Sequence, residues 1–268
     1  MSEKTIACRG FLRGFTHRYE NPIQYLLTLG DDTIVMNEWM GKTVRIAFLE
    51  RIACISCGRS IKKTYNSGYC YPCFTKLPEN DLCIVKPNEC HHHLGTCRDP
   101  EWGEAHCMIP HYVYLAVSSG VKVGLTRKHN ERKRWVDQGA VRAIPIAEVP
   151  NRKLAGELEV HLTQFVADKT DWRKMLKGDV TLVDLLAVRD ELYAHFPEAF
   201  QSYQIAEDEW LDIVYPILEQ ITKVKAYNLD KQPVIEDELI GIKGQYMIFK
   251  GGVLNIRKFS GYEVEMSV

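Results

Sequence analysis

Four cysteines form two C-x2-C pairs, Cys54/Cys57 and Cys70/Cys73, with twelve residues between them. Each pair presents two thiolates from a tight turn, and two such knuckles complete the tetrahedral shell that zinc prefers. Gly58 and Gly68 stand beside them as turn formers. The spacing predicts a structural zinc ion on Cys54, Cys57, Cys70 and Cys73, in a zinc-ribbon-like module. A redox dithiol would place one C-x-x-C beside a βαβ pattern, which is missing around these pairs. A chain of 268 residues buries a sizeable core without metals or disulfides, so its cysteines need another explanation.

A second set, Cys83, Cys90, Cys97 and Cys107, is irregularly spaced and interleaved with His91, His92, His93, His106 and His111. It supplies enough ligands for a second closed site, most simply the four cysteines with a histidine able to replace one. The alternative is that some of these histidines bond backbone around a single site. One or two structural Zn2+ ions are therefore expected, because thiolate-rich sites tend to be closed rather than catalytic. Only Cys8 lies outside the cluster.

The opening Met1-Ser2-Glu3-Lys4-Thr5 has no apolar core and no small-residue cleavage site, and no apolar run is long enough to span a bilayer. A cytoplasmic location without membrane contact is expected, and in that reducing compartment clustered cysteines bind metal more often than they pair.

Pattern divides the chain into an N-terminal β region (1–50), a Cys/His-rich module (51–110), an α/β domain (111–200) and a helix plus C-terminal β region (201–268). Strands are expected at Gln24–Leu29, Thr33–Met36 and Thr43–Leu49. A hairpin, Tyr112–Val117 and Val121–Leu125, precedes a short charged helix and a run at Ala143–Ala147, which Pro145 makes an edge strand at best. The next helix opens near Asn151 and buries Leu154, Ala155, Leu158, Leu162, Phe165 and Val166. Another follows a capping-box pattern at Thr181–Asp184. A further helix is expected from Ala206 to Tyr227, kinked at Pro216, before strands at Leu239–Ile242, Gln245–Phe249 and Val253–Arg257. The fold class is α+β.

Between Val121 and Trp135 six Lys/Arg face one acidic residue, Glu131, an excess concealed by the net charge of -1. Such a segment can neutralise phosphates, although most charge runs are simply solvated. In the helix after Asn151, Glu159 falls in the apolar stripe, whereas Glu157 projects toward Lys153 and His161. A carboxylate on that face needs a partner, either a metal ion or an arginine.

Tyr112-Val113-Tyr114 and Lys122-Val123-Gly124 on two hairpin strands, with a downstream Arg-Trp and a helix Glu, resemble the GIY-YIG nuclease domain over roughly Tyr112 to Ala167. The resemblance implies that Tyr114 orients or deprotonates water and that Arg134, or Arg132, contacts the scissile phosphate. It also implies that Glu159 binds one Mg2+ or Mn2+. Lys122 stands where the family has a tyrosine and is a candidate phosphate contact. Through Gly68–Phe74, Gly95–Arg98, Arg134–Ala140 and Gly241–Tyr246 the whole chain is also similar to an uncharacterised prokaryotic family, a domain of unknown function.

Three functions are open on these grounds. The first is a zinc-binding, DNA- or RNA-associated endonuclease. The second is a noncatalytic nucleic-acid-binding module. The third is a protein-interaction scaffold, for which the near-neutral total charge argues.

Overall fold

The computed structural model describes residues 7–167 and 169–268, so the opening Met1–Thr5, read above for a leader, lies outside the described residues. The chain forms two compact units, one comprising residues up to Phe74 together with Val214–Val268, the other Thr75–Ile213. The cut passes through the 51–110 module and leaves the two C-x2-C pairs in the first unit. The architecture is α+β with several sheets.

Strands β1 (Ala7–Phe11), β2 (Thr16–Arg18), β3 (Gln24–Leu29), β4 (Asp32–Val35), β5 (Thr43–Ala53) and β6 (Ser60–Ile61) open the first unit. The second unit contributes β7 (His111–Val117), β8 (Val121–Arg127), β9 (Arg142–Val149) and β10 (Leu211–Asp212). The chain then returns with β11 (Val234–Lys243), β12 (Tyr246–Phe249), β13 (Val253–Asn255) and β14 (Tyr262–Ser267). The helices are α1 (Tyr71–Lys76), α2 (Leu82–Val85), α3 (Pro100–His106), α4 (Glu131–Asp137), α5 (Arg152–Leu162), α6 (Trp172–Lys177) and α7 (Leu185–Tyr193). Among the described residues, no helix is long and apolar enough to cross a membrane.

In the first unit, β5 is the spine of the main sheet, ordered β1-β14-β5-β11-β12-β13 with β6 also on β5. Its Val44 and Ile46 are fully buried, and its far end delivers Cys54 directly to the first knuckle. A smaller sheet, β2-β3-β4, is an antiparallel meander. The expected strands from Gln24 to Leu49 are present, β5 continuing four residues beyond Leu49 to Ala53.

The second unit is built on an antiparallel sheet ordered β10-β9-β7-β8. Val113, Leu115 and Val117 of β7 pack with Ile144 and Ile146 of β9, with Ala155, Leu158 and Leu162 of α5, and with Leu185 and Leu192 of α7. Pro145 sits where the β7–β9 register shifts, and β10 pairs only with Arg142 and Ala143, so β9 is an edge for most of its length. Asn151 caps α5 by accepting from the Leu154 N–H. The helix stops at Leu162, so Phe165 leaves the buried face and stacks on His195 with centroids 4.0 Å apart.

Two expectations are corrected. The cap of α7 is Asp184, whose carboxylate accepts from the Leu186 and Ala187 N–H groups, rather than Thr181. No helix runs from Ala206 to Tyr227. Ile213 and Tyr215 are buried while Val214 is exposed, which is the period of an extended chain. Its backbone is satisfied as such: Leu218 N–H donates to Ile240 O and Ile242 N–H to Pro216 O. A residue before a proline is also held out of the helical region, which works against a helix through Pro216.

Candidate functional site

Cys54, Cys57, Cys70 and Cys73 converge so that their sulfur atoms all lie within 4.8 Å of one another. Backbone turns make this happen: Gly58 N–H donates to Cys54 O, Cys54 N–H to Arg59 O, and Ile55 N–H to Gly68 O. The Cys70 N–H then donates to Cys54 Sγ at 3.2 Å. Burial alone would raise the Cys54 thiol, but backbone N–H groups of Cys57, Cys70 and Ser56 outweigh it and bring it down to about 6. Cys73 moves the other way, to about 12, because its sulfur is hydrogen-bonded by Cys70 and by its other thiol neighbours and is desolvated as well. A zinc–sulfur bond of about 2.3 Å implies tetrahedral sulfur–sulfur edges of about 3.8 Å. The Cys57 and Cys70 sulfurs are 3.8 Å apart. Four soft donors with this spacing can hold a metal ion such as zinc, and the closed all-thiolate shell is of the structural kind.

In the second unit, Cys83, Cys90, Cys97 and Cys107 line one cavity together with Asp81 and His91. The tight grouping there among the described residues is Asp81, Cys83 and His91, whose ligand atoms lie within 4.8 Å of one another. Burial, followed by the charges of Asp81 and the other three cysteines, pushes the Cys83 thiol up to about 12. A divalent cation relieves such crowding of acidic groups. His92 lines the same cavity, whereas His93 is exposed and His106 bonds Trp102 O at 2.9 Å. His111 is fully buried, with Nδ1 on Ile109 O at 2.7 Å and Nε2 lacking a hydrogen bond. Burial lowers its imidazole to about 4. Asp81 carries no sequence signal, since a lone aspartate outside a ligand motif looks like any loop residue.

The hairpin places Tyr114 directly opposite Gly124. A Cβ on Gly124 would meet the Tyr114 ring at 2.7 Å, so only glycine lets the tyrosine lie flat across β8. Tyr114 is fully buried, meets Trp135 edge-on at 5.8 Å, and donates its hydroxyl to Gln138 Oε1 at 2.9 Å. The Lys122 ammonium, also buried, donates to the same oxygen at 2.7 Å. Gln138, one residue beyond α4, is the member of this trio that residue patterns did not reveal. Tyr112 and Tyr114, two apart on β7, share the face opposite Val113, Leu115 and Val117, not opposite sides of the strand.

Arg132 and Arg134 are exposed on α4. Burial pushes the Tyr114 phenol up, Arg134 opposes this and Glu159 adds to it, so the three lie together. Glu157 pairs with Lys153 as expected. Glu159 is half-buried on the α5 face that also carries Arg152 and Gly156. At Gly156 a Cβ would meet the backbone nitrogen of Asn88 at 2.4 Å, so the turn at Pro87–Glu89 packs straight onto α5. Arg152 donates from Nη2 to Ile84 O at 2.7 Å. Burial lowers its guanidinium; Cys107, Glu159 and Cys83 oppose this and Arg134 adds to it. Arg152 therefore stands between the cysteine cavity and the Glu159 neighbourhood.

The profile described as protein of unknown function (DUF2797) matches residues 41–264. The chain belongs to that family. Within DUF2797 the match takes in both cysteine groups and the whole hairpin region. Comparison with curated proteins and with solved structures returned no match.

Proposed function

We propose that this DUF2797 protein uses its hairpin region to grip the phosphates of a nucleic acid without cutting it, with zinc on the cysteines holding the surrounding fold. The observation that carries this reading is a division of exposure. Arg132 and Arg134 stand in solvent, whereas the Tyr114 hydroxyl is sealed and tied to Gln138. Exposed guanidinium groups pair well with phosphate oxygens. A hydroxyl that does not meet solvent is not placed to orient an attacking water.

The resemblance to GIY-YIG domains draws support from placement: its two motifs lie on paired strands, its arginine on α4 and its glutamate on α5. The donor set for Mg2+ or Mn2+ does not fit. Such ions collect oxygen ligands, chiefly carboxylates and waters, and Glu159 has Arg152 and Arg134 for neighbours. Two guanidinium groups beside a single carboxylate favour an ion-paired glutamate over a cation ligand. The endonuclease reading keeps one favourable observation, that Tyr114, Arg134 and Glu159 share a neighbourhood.

The test uses full-length protein with its zinc retained, labelled DNA and RNA in single- and double-stranded forms, and added Mg2+ or Mn2+. Expected are affinities that fall steeply with salt, substrates that stay intact, and weakening of about tenfold or more in Arg132→Glu/Arg134→Glu. Cleavage abolished by Glu159→Gln would establish the endonuclease instead. Absence of binding at low salt would leave the interaction scaffold as the better account.

A further inference from the structure

The first unit holds a cationic and aromatic surface that the hairpin region does not explain. From Arg51 to Phe74 there are four Lys/Arg, at Arg51, Arg59, Lys62 and Lys63, and no Asp or Glu. All four are exposed, as is Arg13, whose guanidinium reaches the knuckle by donating to Ile55 O at 2.5 Å. A cleft of about 200 Å3 opens beside the first metal centre, lined by Arg13, Arg51, Ser60, Phe11 and the Cys54–Gly58 turn, without a lining carboxylate. The nearby Glu263 receives both Arg9 and Arg51, two cations on one carboxylate, so that trio stays cationic. Glu50 and Asp230 lie in the adjoining groove, which also contains Arg51 and Lys62.

The same module carries stacked rings. Tyr65 packs on Phe74 with centroids 5.7 Å apart and on Tyr71 at 5.4 Å, and Lys63 lies over the Tyr65 ring. Tyr71 caps this group yet is 59% exposed. A large ring held from below and open to solvent above, between two zinc-site cysteines, costs little conformational entropy on binding. Charge alone would suit any polyanion, but a charged cleft beside an open aromatic platform suits a chain that alternates phosphate and planar base.

We infer that the Cys54–Phe74 module binds single-stranded nucleic acid, phosphates entering the Arg13/Arg51/Ser60 cleft and a base stacking on Tyr71. A duplex fits less well, because its bases already stack on one another and leave none to lie on Tyr71. The residues all belong to the first unit, so the inference does not depend on the hairpin region binding anything.

The test measures fluorescence anisotropy of labelled oligothymidylate and oligouridylate with the full chain, against a duplex of equal length and polyglutamate. Variants are Arg59→Glu/Lys62→Glu and Tyr71→Ala, each checked for wild-type zinc content so that loss of the knuckle is not mistaken for loss of binding. Expected is a preference for single strands. Charge reversal should weaken binding about tenfold or more and lower the log–log salt slope by about 1.4, two phosphates at about 0.7 each. Tyr71→Ala should weaken single-strand binding about fivefold or more and leave polyglutamate unaffected. Unchanged affinity in both zinc-replete variants would overturn the inference, as would equal binding of polyglutamate or a preference for duplex. If Arg132→Glu/Arg134→Glu alone removes binding, the hairpin proposal stands and this one falls.

Discussion

At the scale of single residues, the second unit is organised by one close approach. The Tyr114 ring occupies the space where a Gly124 side chain would sit, and its hydroxyl shares Gln138 with Lys122. Gly124→Ala should therefore destabilise the protein by about 1–3 kcal/mol, read as a shift of the urea midpoint with unchanged slope. Lys243 makes a separate test in the first unit. It is 2% exposed on β11, with the Tyr215 ring 5.3 Å from its ammonium, and burial lowers it to about 8 from an ordinary 10.5. Between those two pH values the unfolded chain holds a proton that the folded chain has lost. The wild type should thus gain stability relative to Lys243→Met as pH rises through that window, by on the order of 3 kcal/mol, and show no such trend below about 8. A flat difference across the window would remove the buried-lysine account. Neither Gln138 nor Lys243 was legible beforehand, because burial of a polar side chain is decided by which segments meet over it.

At the scale of elements, α5 connects the unit's parts. One face buries Ala155, Leu158 and Leu162 against the sheet, while Arg152 and Gly156 meet the turn at Pro87–Glu89 and the segment around Ile84. Asn151→Ala should cost about 1 kcal/mol through loss of the cap, measurable by thermal or urea unfolding. Gly156→Ala is a sharper test. Alanine favours an isolated helix by about 1 kcal/mol, yet its methyl would meet Asn88 N at 2.4 Å, so the variant should be less stable despite better propensity. A more stable Gly156→Ala would mean that the turn gives way freely. The start of α5 and its buried stripe were readable from Asn151 and the three-to-four spacing of its leucines. The false helix at Ala206–Tyr227 arose from reading an apolar-rich segment as amphipathic, when alternation at Ile213, Val214 and Tyr215 already carried the strand period.

At the scale of the whole molecule, local motifs announced the first cysteine group, and its geometry follows from turns that the spacing requires. The second group was legible as a gathering of cysteines but not as a ligand set, since Asp81 joins Cys83 and His91 only through folding. Metal removal should show the difference in what these residues support. Purified chain is expected to carry one or two zinc ions, and stripping them with a strong chelator should lower the melting temperature, with recovery on adding Zn2+ back. A zinc content near zero in carefully prepared protein would defeat the structural-metal reading. Long-range pairing was the least readable feature: β5 takes β14 on one side and β11 on the other, partners about two hundred residues later in the chain. A ribosome therefore releases β5 long before either neighbour exists. Until the last strands emerge, that eleven-residue strand presents unpaired edges beside a knuckle that can already take up metal, while Thr75–Ile213 has all its own pieces and can close first. Chains halted before Val234 should accordingly self-associate through β5, making timely completion of synthesis a condition of solubility.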